Sequence, residues 1–216
     1  MNIIDTRSNI AFSNYKKGTI KNIPLFELKS FEYSLPSKDF TDIIFQSIPS
    51  VEFFKDKDYL INKVIYTMGP STKNFLLQKG FDSICPTIPG SKELIKLLPN
   101  LNNNKYLIVK GDDGLSDIFN YLYKNKNNVE EISCYKRVKF KSYDDLKESF
   151  LKADAVIFSS TFGAQIFFEE IYSSDVKAKL FGISNRIINY ISDIGYESKF
   201  IDYFTNDIAE SIKNSI

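Results

Sequence analysis

The chain has 216 residues, with 28 Lys and Arg against 27 Asp and Glu for a net charge of +1, and it contains no histidine. A balance so close to neutral argues against a duplex nucleic-acid partner, which needs a basic face. The missing imidazole removes the commonest zinc ligand and leaves acid–base work to Tyr, Asp, Glu, Lys or water.

Cys85 and Cys134 stand far apart without a CxxC, so no structural metal site is expected. The start, MNIIDTRSN, has neither the basic region nor the apolar core of a signal peptide, and no apolar run approaches about 18 residues. These features predict a cytoplasmic protein without a membrane partner. The length allows one large domain or two of roughly 100 residues each.

The apolar pair Ile3-Ile4 predicts a strand that ends in the polar loop Asp5-Thr6-Arg7. Ser8 is placed to cap a helix over 9–17, and 23–28 reads as a second strand. Residues 43–46 form a short, wholly apolar strand, the pattern of a sheet covered on both faces. A helix over 50–59, a strand over 63–68 and a helix ending near Gly80 follow. Pro70 suits the start of that helix, where the first N–H groups have no helical partner. Beyond it come a strand at 81–85, a helix from Ser91 to Leu98, a loop at 100–104 and a strand at 106–110. Gly111–Gly114 leads into a helix over 115–124, and 130–135 is the next strand. Strands at 155–159, 177–182 and 197–201 then alternate with helices at 162–172, 184–193 and 206–214.

The stretch from Asp42 to Gly80 occurs twice. DIIFQSIPSVEFF…VIYTMGPSTKNFLLQKG is echoed from Asp154 by DAVIFSSTFGAQIFF…AKLFGISNRIINYISDIG, with 112 residues between the Asp pair and 113 between Gly69 and Gly182. So long a period is not that of a solenoid, whose units run about 20–50 residues. It predicts two similar α/β domains with parallel sheets. The N-terminal strands have no home but the C-terminal sheet. Domain 1 is therefore expected to be discontinuous, 1–28 with 138–216; domain 2 is the insertion 35–134, and 29–34 with 135–137 form a two-stranded linker. The hydroxyls of Ser47, Ser71, Thr72, Ser159, Ser160 and Ser184 fall at strand ends, where unpaired helix N–H groups bind anions. Ser71 and Thr72 are equally suited to capping, and the basic run Lys136, Arg137, Lys139 and Lys141 to a solvated connector. Gly111–Gly114 lacks both phosphate-loop signatures.

In their order and spacing these segments resemble the uroporphyrinogen-III synthase family. The likeness lies in IIDTR at 3–7, DIIFQSIPSVEFF at 42–54, TMGPSTKNFLLQKGF at 67–81, LIVKGDDG at 107–114, ISCYKRV at 132–138, DAVIFSSTFGAQIFF at 154–168 and the helix from Gly182 to Tyr196. It implies two similar α/β domains joined by a two-stranded linker, with the active site in the interdomain cleft. It implies cyclisation of hydroxymethylbilane to uroporphyrinogen III, with loss of water and inversion of ring D, and neither metal nor cofactor. It also implies a monomer in heme biosynthesis, with room for a transient contact with the preceding deaminase. Tyr135 matches the family's tyrosine and is the expected proton donor. Arg7, Ser47, Gly69, Ser71, Thr72, Ser159, Ser160 and Ser184 are the expected substrate contacts.

The chain departs from the family pattern at Gln46 (usually Thr), at Thr161 and Ile183 (often Pro), at Asn185 (Thr in the first copy) and in a short first helix. Those departures leave a second reading open, a non-catalytic sensor of a tetrapyrrole or another polyanion with the same fold.

Overall fold

The computed structural model of the chain describes residues 1–8, 20–99, 104–203 and 207–215. Their strands, in chain order, are β1 (Ile3–Asp5), β2 (Ile20–Asn22), β3 (Phe26–Ser30), β4 (Asp42–Phe45), β5 (Val64–Thr67), β6 (Lys105–Gly111), β7 (Asn128–Lys139), β8 (Ala155–Phe158), β9 (Lys179–Gly182) and β10 (Lys199–Phe200). The helices are α1 (Ile48–Phe53), α2 (Pro70–Gln78), α3 (Ser91–Leu97), α4 (Asp117–Lys124), α5 (Asp144–Leu151), α6 (Thr161–Ile166), α7 (Asn185–Asp193) and α8 (Ile208–Lys213). Two compact units result, Met1–Glu27 with Val138–Ile216, and Leu28–Arg137.

In the second unit the described strands run in the order β3-β7-β6-β4-β5, with β7, β6, β4 and β5 parallel to one another. The apolar run of β4 is buried at every position. Side chains alternate across a strand, so Ile43 and Phe45 pack with Val51 of α1 and Leu76 of α2. Ile44 faces the other way, onto Leu94 of α3 and Ile118 and Leu122 of α4. Two helical layers thus cover one sheet. Each fully buried Phe or Ile there contributes about 1.5–3 kcal/mol relative to exposure.

The first unit repeats this plan, with the order β10-β9-β8-β1-β2 and every described pairing parallel. Ile3, Ala155, Ile157 and Phe181 pack with Ile208 and Ile212 of α8 on one face. Phe158 turns to the other face, where its ring lies 5.2 Å from Phe167, which also meets Phe150 of α5 at 5.5 Å.

The two copies of the repeat occupy the same sheet positions, but with a two-residue offset that the motif spacing hides. Phe45 pairs with Thr67 in one copy and Phe158 with Gly182 in the other, so Gly182 matches Thr67 and not Gly69. Ser184 therefore takes the N-cap place of Gly69, and Asn185 that of Pro70. Gly80 (φ 92°) and Gly195 (φ 88°) close the paired helices in the left-handed region, where a side chain would be strained.

Several boundaries differ from the sequence expectation. Of the strand expected over 23–28 only the second half forms, as the start of β3; β2 ends at Asn22, before Pro24, which has no N–H to give a ladder. The helix expected over 50–59 is α1 plus a separate 3₁₀ turn, Lys57–Leu60. The strand expected at 81–85 is reduced to a single bridge between Tyr66 and Ile84. Helix 162–172 changes at Phe167–Ile171 into a wider π-type turn. Helix α5 has no counterpart in the sequence expectation; half its residues are charged, and it buries Phe150 alone among its residues. The helix expected over 9–17 and residues 100–103 of the expected loop lie outside the described residues.

Candidate active site

Each sheet reverses its winding once. In the second unit the chain moves outward from β4 to β5 on one side and from β6 to β7 on the other, so the reversal falls between β4 and β6. In the first unit it falls between β8 and β1. Open parallel sheets leave a crevice at the carboxyl ends of the strands flanking such a reversal, and ligands bind there. The expected site residues sit at or beside these strand ends.

In the second unit, Ser47 follows β4 as the N-cap of α1. Its Oγ accepts the Ser50 backbone N–H at 3.2 Å, and Ser50 Oγ accepts the Ser47 N–H at 3.0 Å. Two N–H groups at the helix start are thereby satisfied reciprocally. The Ser47 hydroxyl also lies 3.1 Å from the phenol oxygen of Tyr135 on β7. Tyr135 is 4% exposed, stacks on Phe53 of α1 with ring centroids 5.8 Å apart, and spans the space between β7 and that helix. Burial pushes its phenol pKa above the ordinary 10.0, although the Ser47 hydrogen bond and nearby Arg137 act the other way. The net effect favours the neutral phenol.

The strand between them, β6, makes room for that ring. The β6–β7 register slips between Lys110 and Gly111, so Gly111 comes to lie opposite Tyr135. A Cβ on Gly111 would stand 2.6 Å from the Tyr135 ring, closer than any packing allows. The loop beyond is tied down by Gln46, whose Nε2 donates to the Leu115 carbonyl at 2.8 Å. Lys110, 7% exposed, donates to Glu131 at 2.7 Å and to the Gly114 carbonyl at 3.4 Å. Gln46, a departure from the family pattern, is thus built into the support of the loop beside Tyr135.

Gly69 caps α2 in an extended conformation, with Pro89 so close that a Cβ would meet it at 2.8 Å. Thr72 is buried and Ser71 exposed in the first turn of α2, and the Thr72 N–H is taken by the Gly69 carbonyl at 3.1 Å. Ser71 is the freer of the two to meet solvent.

In the first unit, Ser160 mirrors Ser47: it caps α6, and its Oγ accepts the Gly163 N–H at 3.1 Å. Ser159 is half-buried one residue before it, at the place Gln46 holds in the other copy. Ser184, also half-buried, caps α7 by backbone position without a side-chain cap bond. Across the reversal, Thr6 bonds the Ile157 carbonyl through Oγ1 at 2.8 Å, fixing the loop that presents Arg7. The Arg7 guanidinium carbon stands 3.6 Å over the Tyr203 ring, and Nε lies 3.4 Å from Asp5.

The structure brings Tyr135 and Ser47 into contact within the second unit, and groups Arg7, Ser159 and Ser160 at the reversal of the first. Gly69 with Ser71 and Thr72, and Ser184, lie one strand further out, at the ends of β5 and β9. Sequence reasoning missed Gly111, Asp5 and Tyr203. A glycine ending an apolar strand was visible; that it faces a tyrosine was not.

Fold and site together define a parallel α/β protein whose polar groups collect at two similar sheet reversals, one of them carrying a buried, protonated tyrosine. The chain belongs to the uroporphyrinogen-III synthase family, whose model, described as uroporphyrinogen-III synthase HemD, matches residues 23–201. Among solved structures, the uroporphyrinogen-III synthetase of Helicobacter pylori 26695 is similar over 99% of this chain and 98% of its own, with a TM-score of 0.74 at 16% identity. A mutant uroporphyrinogen III synthase of the extreme thermophile Thermus thermophilus is similar over 99% and 98%, with a TM-score of 0.62 at 13% identity. No curated protein matches the chain in sequence. Among the described residues no helix is long and apolar enough to cross a membrane.

Proposed function

We propose that the chain is a uroporphyrinogen-III synthase that cyclises hydroxymethylbilane. The family match over residues 23–201 carries the reaction class. In that reaction the hydroxymethyl C–O bond breaks and the oxygen leaves as water with one added proton. The resulting pyrrole-stabilised cation is attacked by the substituted carbon of ring D. Rearrangement through a spiro intermediate inverts that ring, and a ring proton is lost at closure.

Tyr135 is the donor for the leaving hydroxyl, supported by its burial and its contact with Ser47. Ser47 orients it. Ser47, Gly69, Ser71, Thr72, Ser159, Ser160 and Ser184 bind the substrate's carboxylates with hydroxyls and helix-start N–H groups, and Arg7 with its guanidinium. Most of the catalysis is then positioning, since the flexible linear tetrapyrrole must be folded until one particular carbon is reached. The synthase is built of two similar α/β units. Residues 29–34 and 135–137 serve as the linker, supported by the sheet neighbourhood of β3 and β7 and by division of the units after Glu27 and Arg137. It works as a cytoplasmic monomer, a setting consistent with two unpaired cysteines.

A coupled assay tests the activity. Porphobilinogen and its deaminase generate hydroxymethylbilane in the presence of the purified protein, and the oxidised porphyrin isomers are separated. Predominantly isomer III is expected. Isomer I alone, the spontaneous product, from demonstrably folded protein would refute the proposal.

A further inference from the structure

The hydroxyls and helix-start N–H groups at the strand ends suit carboxylates. The rings of a linear tetrapyrrole also carry N–H groups, and those need acceptors. One side chain at the reversal of the second unit offers an acceptor. Gln46 directly follows β4, and its backbone N–H donates to the Val109 carbonyl of β6 at 3.1 Å. Its Nε2 reaches past the end of β6 to the Leu115 carbonyl at 2.8 Å. The side chain thus crosses between β4 and β6, the two strands between which the winding reverses and where open parallel sheets take ligands.

The bond to Leu115 fixes the amide. With Nε2 on that carbonyl, Oε1 is the atom left over; the reverse setting would put two acceptors face to face. Among the described residues Oε1 accepts no hydrogen bond, and Gln46 is only half-buried. Gly114 keeps the space beside the oxygen clear, since a Cβ there would stand 2.9 Å from Oε1. Gln46 also immediately precedes Ser47, whose hydroxyl meets the Tyr135 phenol at 3.1 Å. An open acceptor and a neutral phenol therefore flank one strand end.

We propose that Gln46 Oε1 accepts the N–H of the pyrrole ring whose hydroxymethyl group ionises, and so positions that ring beside Tyr135. This rests on the function proposed above. One ring carbon lies between the nitrogen and the hydroxymethyl group, so acceptor and acid must be close neighbours, as Gln46 and the Ser47–Tyr135 pair are. When the C–O bond breaks, the oxygen leaves with the Tyr135 proton and the ring nitrogen shares its lone pair with the methylene carbon. The nitrogen keeps its hydrogen and becomes cationic. A hydrogen bond from a cationic donor is about twice as strong as a neutral one. Gln46 then holds the transition state more tightly than the substrate, through a dipole already aimed where charge develops. A neutral amide serves here better than a carboxylate, which would repel the acidic groups of the same substrate.

Three variants separate this role from support of the loop at 111–116. Gln46→Lys keeps a donor for the Leu115 carbonyl and deletes the acceptor. In the coupled assay its kcat should fall about tenfold or more without a rise in KM, since the added charge favours carboxylates. Gln46→Glu keeps an acceptor and loses the donor; its KM should rise and its kcat fall less. A side chain that only ties the loop would give the opposite order. Gln46→Lys with wild-type kcat, or Gln46→Glu slowed as much as Gln46→Lys, overturns the proposal. Independently of turnover, Gln46→Met should bind uroporphyrinogen III about fivefold more weakly than the wild type, the usual worth of one hydrogen bond between neutral groups. Equal binding by the two also overturns the proposal. A wild-type protein that makes no isomer III refutes the proposed function instead, and Gln46 is then judged on the titration alone.

Discussion

The hydroxyls of Ser47 and Tyr135, 88 residues apart in sequence, stand 3.1 Å apart in the structure. One belongs to a helix cap and the other to the adjoining sheet, so the phenol is held at both its ring and its oxygen. Tyr135→Phe keeps the ring and its stack on Phe53 and deletes only the donor. Turnover should fall by about 10²-fold or more, the usual worth of a general acid, while the affinity for uroporphyrinogen III changes little. Ser47→Ala should cost about 1 kcal/mol of stability through the lost cap and reduce turnover less than Tyr135→Phe. Steady-state kinetics alongside product titration separates these effects, and undiminished turnover in Tyr135→Phe would remove Tyr135 from the chemistry.

Gly111 should be as sensitive as Tyr135, for a reason of space alone. A methyl group there would lie 2.6 Å from the Tyr135 ring and force it off its seat. Gly111→Ala should cost about 1–3 kcal/mol and reduce turnover, as overpacking does. If the clash is the cause, adding Tyr135→Ala should cancel most of the penalty of the Gly111 change. Thermal or urea denaturation of the two single variants and the double variant forms the cycle; strictly additive penalties would place the strain elsewhere.

Much of this fold can be read from local sequence. The buried runs of β4 and β8 and the helix-closing Gly80 and Gly195 announce themselves through residue type and spacing, whereas Ser47 and Ser160, read as strand-end hydroxyls, prove also to cap the helices that follow. What escapes is set by contacts that no local pattern records. The Asp5–Tyr203 hydrogen bond spans 198 residues. The Gly111–Tyr135 contact depends on a register slip between two strands. The equivalence of the two copies past their first strands follows from sheet register, which pairs Gly182 with Phe158, and not from the matching glycines that make the motif visible. Helix α5 escapes because one buried Phe in a charged run gives no periodicity to detect.

Alkaline pH should weaken the fold through Cys134. Burial pushes its thiol from the ordinary 9.0 up to about 12. The unfolded chain thus releases a proton at lower pH than the folded one. Stability from this group is intact below about pH 9 and declines as pH rises towards 12, by at most about 1.4 kcal/mol per pH unit. Tyr66, pushed from 10.0 to about 12 by burial, adds to the decline only from about pH 10. The stability difference between wild type and Cys134→Ala should therefore shrink between pH 8 and 10. Urea titrations across that range measure it, and a difference that stays constant would show that Cys134 does not titrate between the two states.

The Lys110–Glu131 pair separates stability from function at the same loop. Lys110 Nζ lies 2.7 Å from Glu131 Oε2, with the two side chains 8% and 22% exposed, and among the described residues Glu131 Oε1 is buried without a partner. Such a pair is held in place more by the cost of breaking it than by its net worth. Lys110→Met strands the carboxylate and should destabilise the protein by about 3 kcal/mol, the low end for buried pairs because Glu131 retains some solvent. Adding Glu131→Leu removes the stranded charge and should recover most of that loss. Turnover should not recover with it. Lys110 also donates to the Gly114 carbonyl, and without that bond the loop that leaves room for Tyr135 is held by Gln46 alone of the two. Denaturation and turnover measured on the same double variant test the separation: stability near wild type with reduced turnover is expected, and recovery of both would show that the pair serves the fold and not the site.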